Sequence, residues 1–153
     1  MADSVKSITR LLQKAFEKNA WHGPSVREVL DSIPDGMSFE KLPGTHSIIE
    51  LVAHMHSWRE FVVRKLEGDL QYVVGDSQNF PEITNWQEIK EKLYRNQERL
   101  LNALESFPES SLATLVPHAS HKYTYYTMLH GIIHHDLYHI GQIVLIKKSK
   151  EQP

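Results

Sequence analysis

The chain contains no cysteine. Disulfides, thiolate metal ligands and a protein-borne thiol nucleophile are therefore excluded, and any thiol chemistry would need a thiol cosubstrate. An excess of either charge is lacking too. Lysine and arginine total 17 against 19 aspartates and glutamates, and a formal charge of -2 offers no general attraction to nucleic acid or to an anionic membrane. Nor are there long apolar runs: no stretch approaches the ~18 apolar residues of a membrane span, and the opening MADSVKSITRLLQKAFEKNAW has no apolar signal-peptide core. These absences lead to the expectation of a cytoplasmic protein with no membrane and no nucleic-acid partner. At 153 residues the chain is long enough for one domain, residues 1–153, with a real core.

What the sequence does have is helical periodicity. Val5, Ile8, Leu12, Ala15 and Phe16 recur at spacings of three and four, which predicts an amphipathic helix from Ser4 to about Ala20. Gly23 and Pro24 interrupt it, and Ser25 caps a short piece, SVREVLDSI, stopped by Pro34, Asp35 and Gly36. Ser47-Ile48-Ile49-Glu50 fits a capping box opening a helix to about Glu67, with Gly68 as its stop. Asp69 to Pro81 reads as a loop, touching strand geometry at most over Gln71–Val74. Thr84-Asn85-Trp86-Gln87 gives a second capping box, followed by the stripe Trp86, Ile89, Leu93, Leu100 and Leu104 to about Ser106. Phe107 to Lys122 is a long crossover with one turn at Ser111–Leu115, after which Thr124 caps the last helix. Four long helices with some longer connections predict an all-α four-helix bundle, a fold that builds metal sites from side chains on facing helices.

The last helix holds the chemistry. Four of the ten histidines lie between Tyr123 and Lys148, and they form two overlapping HxxxH pairs, His130 with His134 and His135 with His139. Residues four apart share a helix face, so either pair can grip one metal ion. The apolar pattern decides between them. Met128, Ile132, His135, His139, Gln142, Ile143 and Ile146 share one sector, whereas His130 and His134 line up with Tyr138, Gly141, Leu145 and Lys148 on a mixed face. A third inward histidine is His54, on a stripe with Ser47, Leu51, Trp58, Phe61 and Val62; His56 shares a face with Ala53, Glu60 and Glu67 that reads as solvated. A lone inward histidine is more often a hydrogen-bonded core residue than a ligand. Three together are different, because desolvating three imidazoles is costly and a divalent cation satisfies all three at once.

Other side chains could complete the site. Glu50, one turn before His54, is a candidate general base, with service to the capping box as its simpler role. Gln142, one turn after His139, could reach a group at the metal or the backbone. Asp136 lies with Leu129, Ile133 and Ile140, so its carboxylate needs a partner, either a ligand imidazole or a neighbouring helix. Trp58 is placed to wall the pocket. His22 and Tyr138 are weaker candidates.

The segments HSIIELVAHMHSW around His54 and GIIHHDLYHIGQI from Gly131 to Ile143 resemble the DinB-like superfamily, the damage-inducible and YfiT-type metal-binding four-helix bundles. AWHGPSVREVL and LPGTHSI extend the resemblance over nearly the whole chain. It implies His54, His135 and His139 as ligands of a divalent transition metal, with zinc or nickel the first choice for all-nitrogen ligation. It also implies a homodimer and a small-molecule substrate. Similar proteins include transferases and isomerases that use low-molecular-weight thiols, and metal-dependent hydrolases. Activation of a thiol cosubstrate, activation of water, and a non-catalytic metal- or small-molecule-binding stress-related module all stay open at this point.

Overall fold

The long helices form where the apolar stripes place them. The structure, a computed structural model, describes residues 4–151; residues 1–3 and 152–153, part of the expected domain, lie outside the described residues. The helices are α1 Ser4–Phe16, α2 Val26–Asp31, α3 Ile48–Leu66, α4 Asp76–Asn79, α5 Trp86–Glu105 and α6 Tyr125–Glu151, with short 3-10 segments at Asp35–Met37 and Glu109–Ala113. The bundle is made of α1, α3, α5 and α6, with α3 packed chiefly on α5 and α6. Among the described residues there is no strand, and Gln71–Val74 accordingly has none to pair with.

Local chemistry sets the helix ends. α1 stops at Phe16 rather than Ala20, and Asn19 just beyond adopts φ 60°, a left-handed conformation that helices do not continue through. α3 opens on the expected capping box: Ser47 Oγ accepts the Glu50 amide, and Glu50 Oε2 accepts the Ser47 amide at 2.7 Å. It closes at Gly68, φ 95°, where the Gly68 and Asp69 amides donate back to Lys65 and Arg64 carbonyls. The cap of α5 lies one residue later than the sequence suggests. Asn85, not Thr84, accepts the Glu88 amide at 3.0 Å, and Gln87 is drawn away to Asp35 at 2.7 Å. Thr124 caps α6 as expected, accepting the Thr127 amide.

The core has two apolar layers. One gathers Phe16, Leu30, Ile49, Val52, Met55, Leu93, Ile143 and Ile146; the other gathers Ile8, Leu12, Phe61, Leu100, Leu104, Met128, Leu129 and Ile132. The crossover from Phe107 to Lys122 closes the second layer with Leu112 and Val116; the Tyr125–Thr114 backbone bond pins it to the first residue of α6, and the Val116–Tyr123 bond to the residues just before that helix. Its single turn, Glu109–Ala113, begins two residues before the expected Ser111. Three buried polar residues, one from each of α3, α5 and α6, join the helices across the interior: Arg59, Gln97 and Asp136.

Candidate metal centre

α3 and α6 face each other and bring His54, His135 and His139 together. His135 Nε2 lies 3.0 Å from His54 Nε2 and 3.2 Å from His139 Nε2. A tetrahedral ion with ~2.05 Å bonds to nitrogen would set its ligand atoms about 3.3 Å apart, close to these two separations, and all three ligand atoms lie within 4.8 Å of one another. The register is what achieves this. Helical spacing stacks His135 and His139 on one face of α6, and the Ser47 cap fixes the start of α3 two turns before His54.

The far nitrogens are also directed. Nδ1–H of His54 donates to the Asn79 carbonyl at 2.7 Å, and Nδ1–H of His139 donates to Gln142 Oε1 at 2.6 Å. A carbonyl can only accept, so each ring carries its proton on Nδ1 and turns the Nε2 lone pair inward. His135 differs: its Nδ1 is buried with no hydrogen-bond partner, 4.0 Å from Asp136 Oδ1, itself buried and unpartnered. A cation on His135 Nε2 would put the ring proton on Nδ1, and a closure of about an ångström would give both orphaned atoms their partner. The residues therefore fit a metal ion. Burial pushes all three imidazoles below the ordinary histidine range, His135 to about 3 with further lowering from His139, His54 and Arg59, so the lone pairs are available at neutral pH.

Behind His135, Arg59 Nε donates to Asp136 Oδ2 at 2.7 Å, Arg59 Nη1 donates to Gln97 Oε1 at 2.6 Å, and the guanidinium lies 4.4 Å from the centre of the Phe16 ring. Asp136 thus finds the partner its apolar neighbours demand on α3. Burial raises its carboxyl above the ordinary carboxylate range, against the pull of Arg59.

Glu50 keeps its carboxylate on Ser47, whose amide and hydroxyl hold it below the usual range, and lies 3.8 Å from His46 Nδ1. Trp58 donates its indole N–H to Asn79 Oδ1 at 2.9 Å and presents its ring to His54, His135 and Phe61. His134 is exposed, and His130 is half-buried with Nδ1 on the Tyr126 carbonyl. His22 is exposed; Tyr138 is exposed but sets its ring 5.0 Å from that of His139. His56 is not on a solvated face. It is half-buried and Ala53 fully so, because α5 crosses here and sends Arg99 to Glu60 and Glu67.

Sequence periodicity missed the wall supplied by the connection between α3 and α5. Phe80 is stacked between His54 and His46, with ring centres 4.2 and 3.8 Å away, and Asn79 holds both His54 and Trp58. A backbone carbonyl has no residue code, so nothing in the sequence marks Asn79. Phe80 carries an aromatic signal, but Leu70, Tyr72, Val73 and Val74 in the same connection make it one apolar residue among several.

Comparison with curated proteins yields no match. A family model described as the DinB superfamily matches residues 20–143, from just beyond α1 through all three histidines to Ile143; the chain belongs to that superfamily.

Proposed function

We propose that this protein is a metal-dependent enzyme in which His54, His135 and His139 hold one divalent transition-metal ion, zinc or nickel, to activate a thiol cosubstrate toward a small-molecule electrophile. The observation that carries the reading is the convergence of three imidazole Nε2 atoms within 3.0 and 3.2 Å contacts, two of the rings locked into the metal-binding tautomer. When bound, such an ion supplies a positive charge that favours the deprotonated form of a thiol or of water. The chain does the rest. Asn79 and Gln142 hold the rings in place, Asp136 stands ready for the His135 proton, and Trp58 and Phe80 shield the nitrogens.

Hydrolysis is the second reading: the same ion would activate water, with Glu50 the carboxylate the sequence offers as base. Ser47 engages Glu50 and holds its carboxyl below the usual range, which makes it a weak base for thiol and water alike and leaves the activation to the ion. The enzyme is proposed to act as a cytoplasmic homodimer, which sedimentation would test.

Elemental analysis of tag-free protein tests the centre. About one ion per chain is expected, lost in His54→Ala, His135→Ala and His139→Ala and kept in His134→Ala. Retention by all three ligand variants, or loss only in His134→Ala, overturns the assignment. The thiol step is tested by following consumption of a panel of small thiols with a model electrophile; equal rates for the native protein and His139→Ala end that reading.

A further inference from the structure

Beside the histidines lies an apolar chamber of about 250 Å³ between α3 and α6. Trp58, Phe61 and Val62 form one wall, Met128 and Ile132 the other, and His135 closes the end nearest the candidate metal. No Lys, Arg, Asp or Glu lines it. Of the polar side chains on its walls, Trp58 Nε1 is engaged by Asn79 and Thr127 Oγ1 by Thr124, which leaves the Tyr123 hydroxyl and the His135 ring as the polar groups it offers an occupant. A dry apolar cavity of ~150 Å³ holds benzene, so this one has room for a ring with a short linker.

Gly131 lies on the rim of this chamber, four residues and about 6 Å along α6 before His135. Glycine is among the least favourable residues for a helix interior, and two ordinary reasons for keeping one are missing here. A β-carbon at Gly131 would meet no heavy atom within 4 Å, so no close packing requires glycine, and its φ is not of the left-handed kind that requires one. Gly141, further along the same helix, is equally free of neighbours but does not line the chamber.

We propose that the chamber is a substrate subsite for an uncharged apolar group, an aryl or short branched alkyl arm, and that Gly131 is its doorway, kept bare so that the arm can enter beside His135. Thr127, Gly131, His135 and His139 follow one another at four-residue spacing, so the stripe that presents the two histidines also runs past the chamber. The reacting end of that substrate rests on the proposed metal function; the arm and its seat do not.

The test therefore uses metal-free protein and benzyl alcohol as the probe, read by two-dimensional NMR at the Trp58 indole N–H and the Met128 methyl group. Saturable shifts at both groups are expected in the wild type, weakened roughly tenfold or more in Gly131→Leu by filling of the entrance and unchanged in Gly141→Leu. Absence of saturable shifts, or equal titration of Gly131→Leu and wild type, overturns the proposal. Should Gly131→Leu fail to fold, the wild type still decides: erythritol, a small polyol with no apolar face, is expected to produce no shift, and equal shifts by the two probes overturn it. Failure here leaves the elemental analysis of the histidines untouched, and failure there leaves this titration standing.

Discussion

Two polar clusters sit side by side in the bundle, joined at the peptide bond between His135 and Asp136, and they are finished differently. Around Arg59, donors meet acceptors: Asp136 Oδ2 and Gln97 Oε1 take guanidinium N–H groups, and Gln97 reaches on to the Leu12 carbonyl at 3.4 Å. Around His54 the outward nitrogen atoms of two rings are satisfied and the inward ones are aimed at each other. Burial does not separate the two, since Arg59 is 1 % exposed and His54 only 7 %. What separates them is the sign of the groups that converge. The guanidinium meets acceptors and leaves only Asp136 Oδ1 over, on the side of His135, and that set is architecture; around the histidines two inward lone pairs converge on a third ring nitrogen, a donor set that one cation satisfies at once.

The comparison can be broken from either side. The largest effect is expected from Asp136→Ala, which leaves Arg59 buried without its counter-charge and should destabilise the fold by about 3–5 kcal/mol in urea unfolding. An Arg59→Met, Asp136→Leu double variant should recover most of that, because apolar replacement removes both charges together. Failure of the double variant to recover would mean that the pair does more than hold the helices.

Acidification should act on the histidine cluster. Their folded-state pKa values lie below the unfolded one, so the stability they contribute is present above about pH 6.5 and is lost as pH falls toward the folded values, about 3 for His135. Thermal unfolding in a chelator should show a loss of roughly 2 kcal/mol from His135 alone between pH 6.5 and 5. His135→Ala should flatten that slope; an unchanged slope would place the acid sensitivity elsewhere.

Gln142→Ala removes only the acceptor behind His139. Metal affinity is expected to fall roughly 10- to 100-fold in competition with a chromogenic chelator, with the fold intact. Undiminished affinity would show that Gln142 does not orient the ring. The smallest effect belongs to His134→Ala, expected to move stability by no more than about 0.5 kcal/mol and metal content not at all. It stands next to His135 in sequence yet points to solvent.

Much of this was legible in the sequence because helices write their faces at a fixed angular step. At ~100° per residue, neighbouring histidines such as His134 and His135 fall in different sectors, so the apolar residues around them could assign one to solvent and one to the interior. The same rule found the α1, α3 and α5 stripes and flagged Asp136 as needing a partner. It could not name Arg59, which sits between Trp58 and Glu60 and looks like any other surface charge until α6 is laid against it. It misjudged His56 for a related reason: whether a polar face is wet depends on a second helix, α5, whose Arg99 reaches across. Connecting segments are too short or irregular for such an angular code, so neither the Asn79 carbonyl nor the stacking of Phe80 on His46 and His54 could be read from them.

The Asn79 carbonyl gives the connection between α3 and α5 a thermodynamic stake in the metal. That one acceptor holds the His54 proton on Nδ1, so any displacement of residues 79 and 80 weakens the ligand without touching it. Linkage is reciprocal: what steadies this segment tightens the ion, and the ion must steady the segment by the same free energy. Amide hydrogen exchange at Asn79 and Phe80 should therefore slow when the centre is loaded, making the end of α4 the gauge of an occupancy whose ligands stand on α3 and α6.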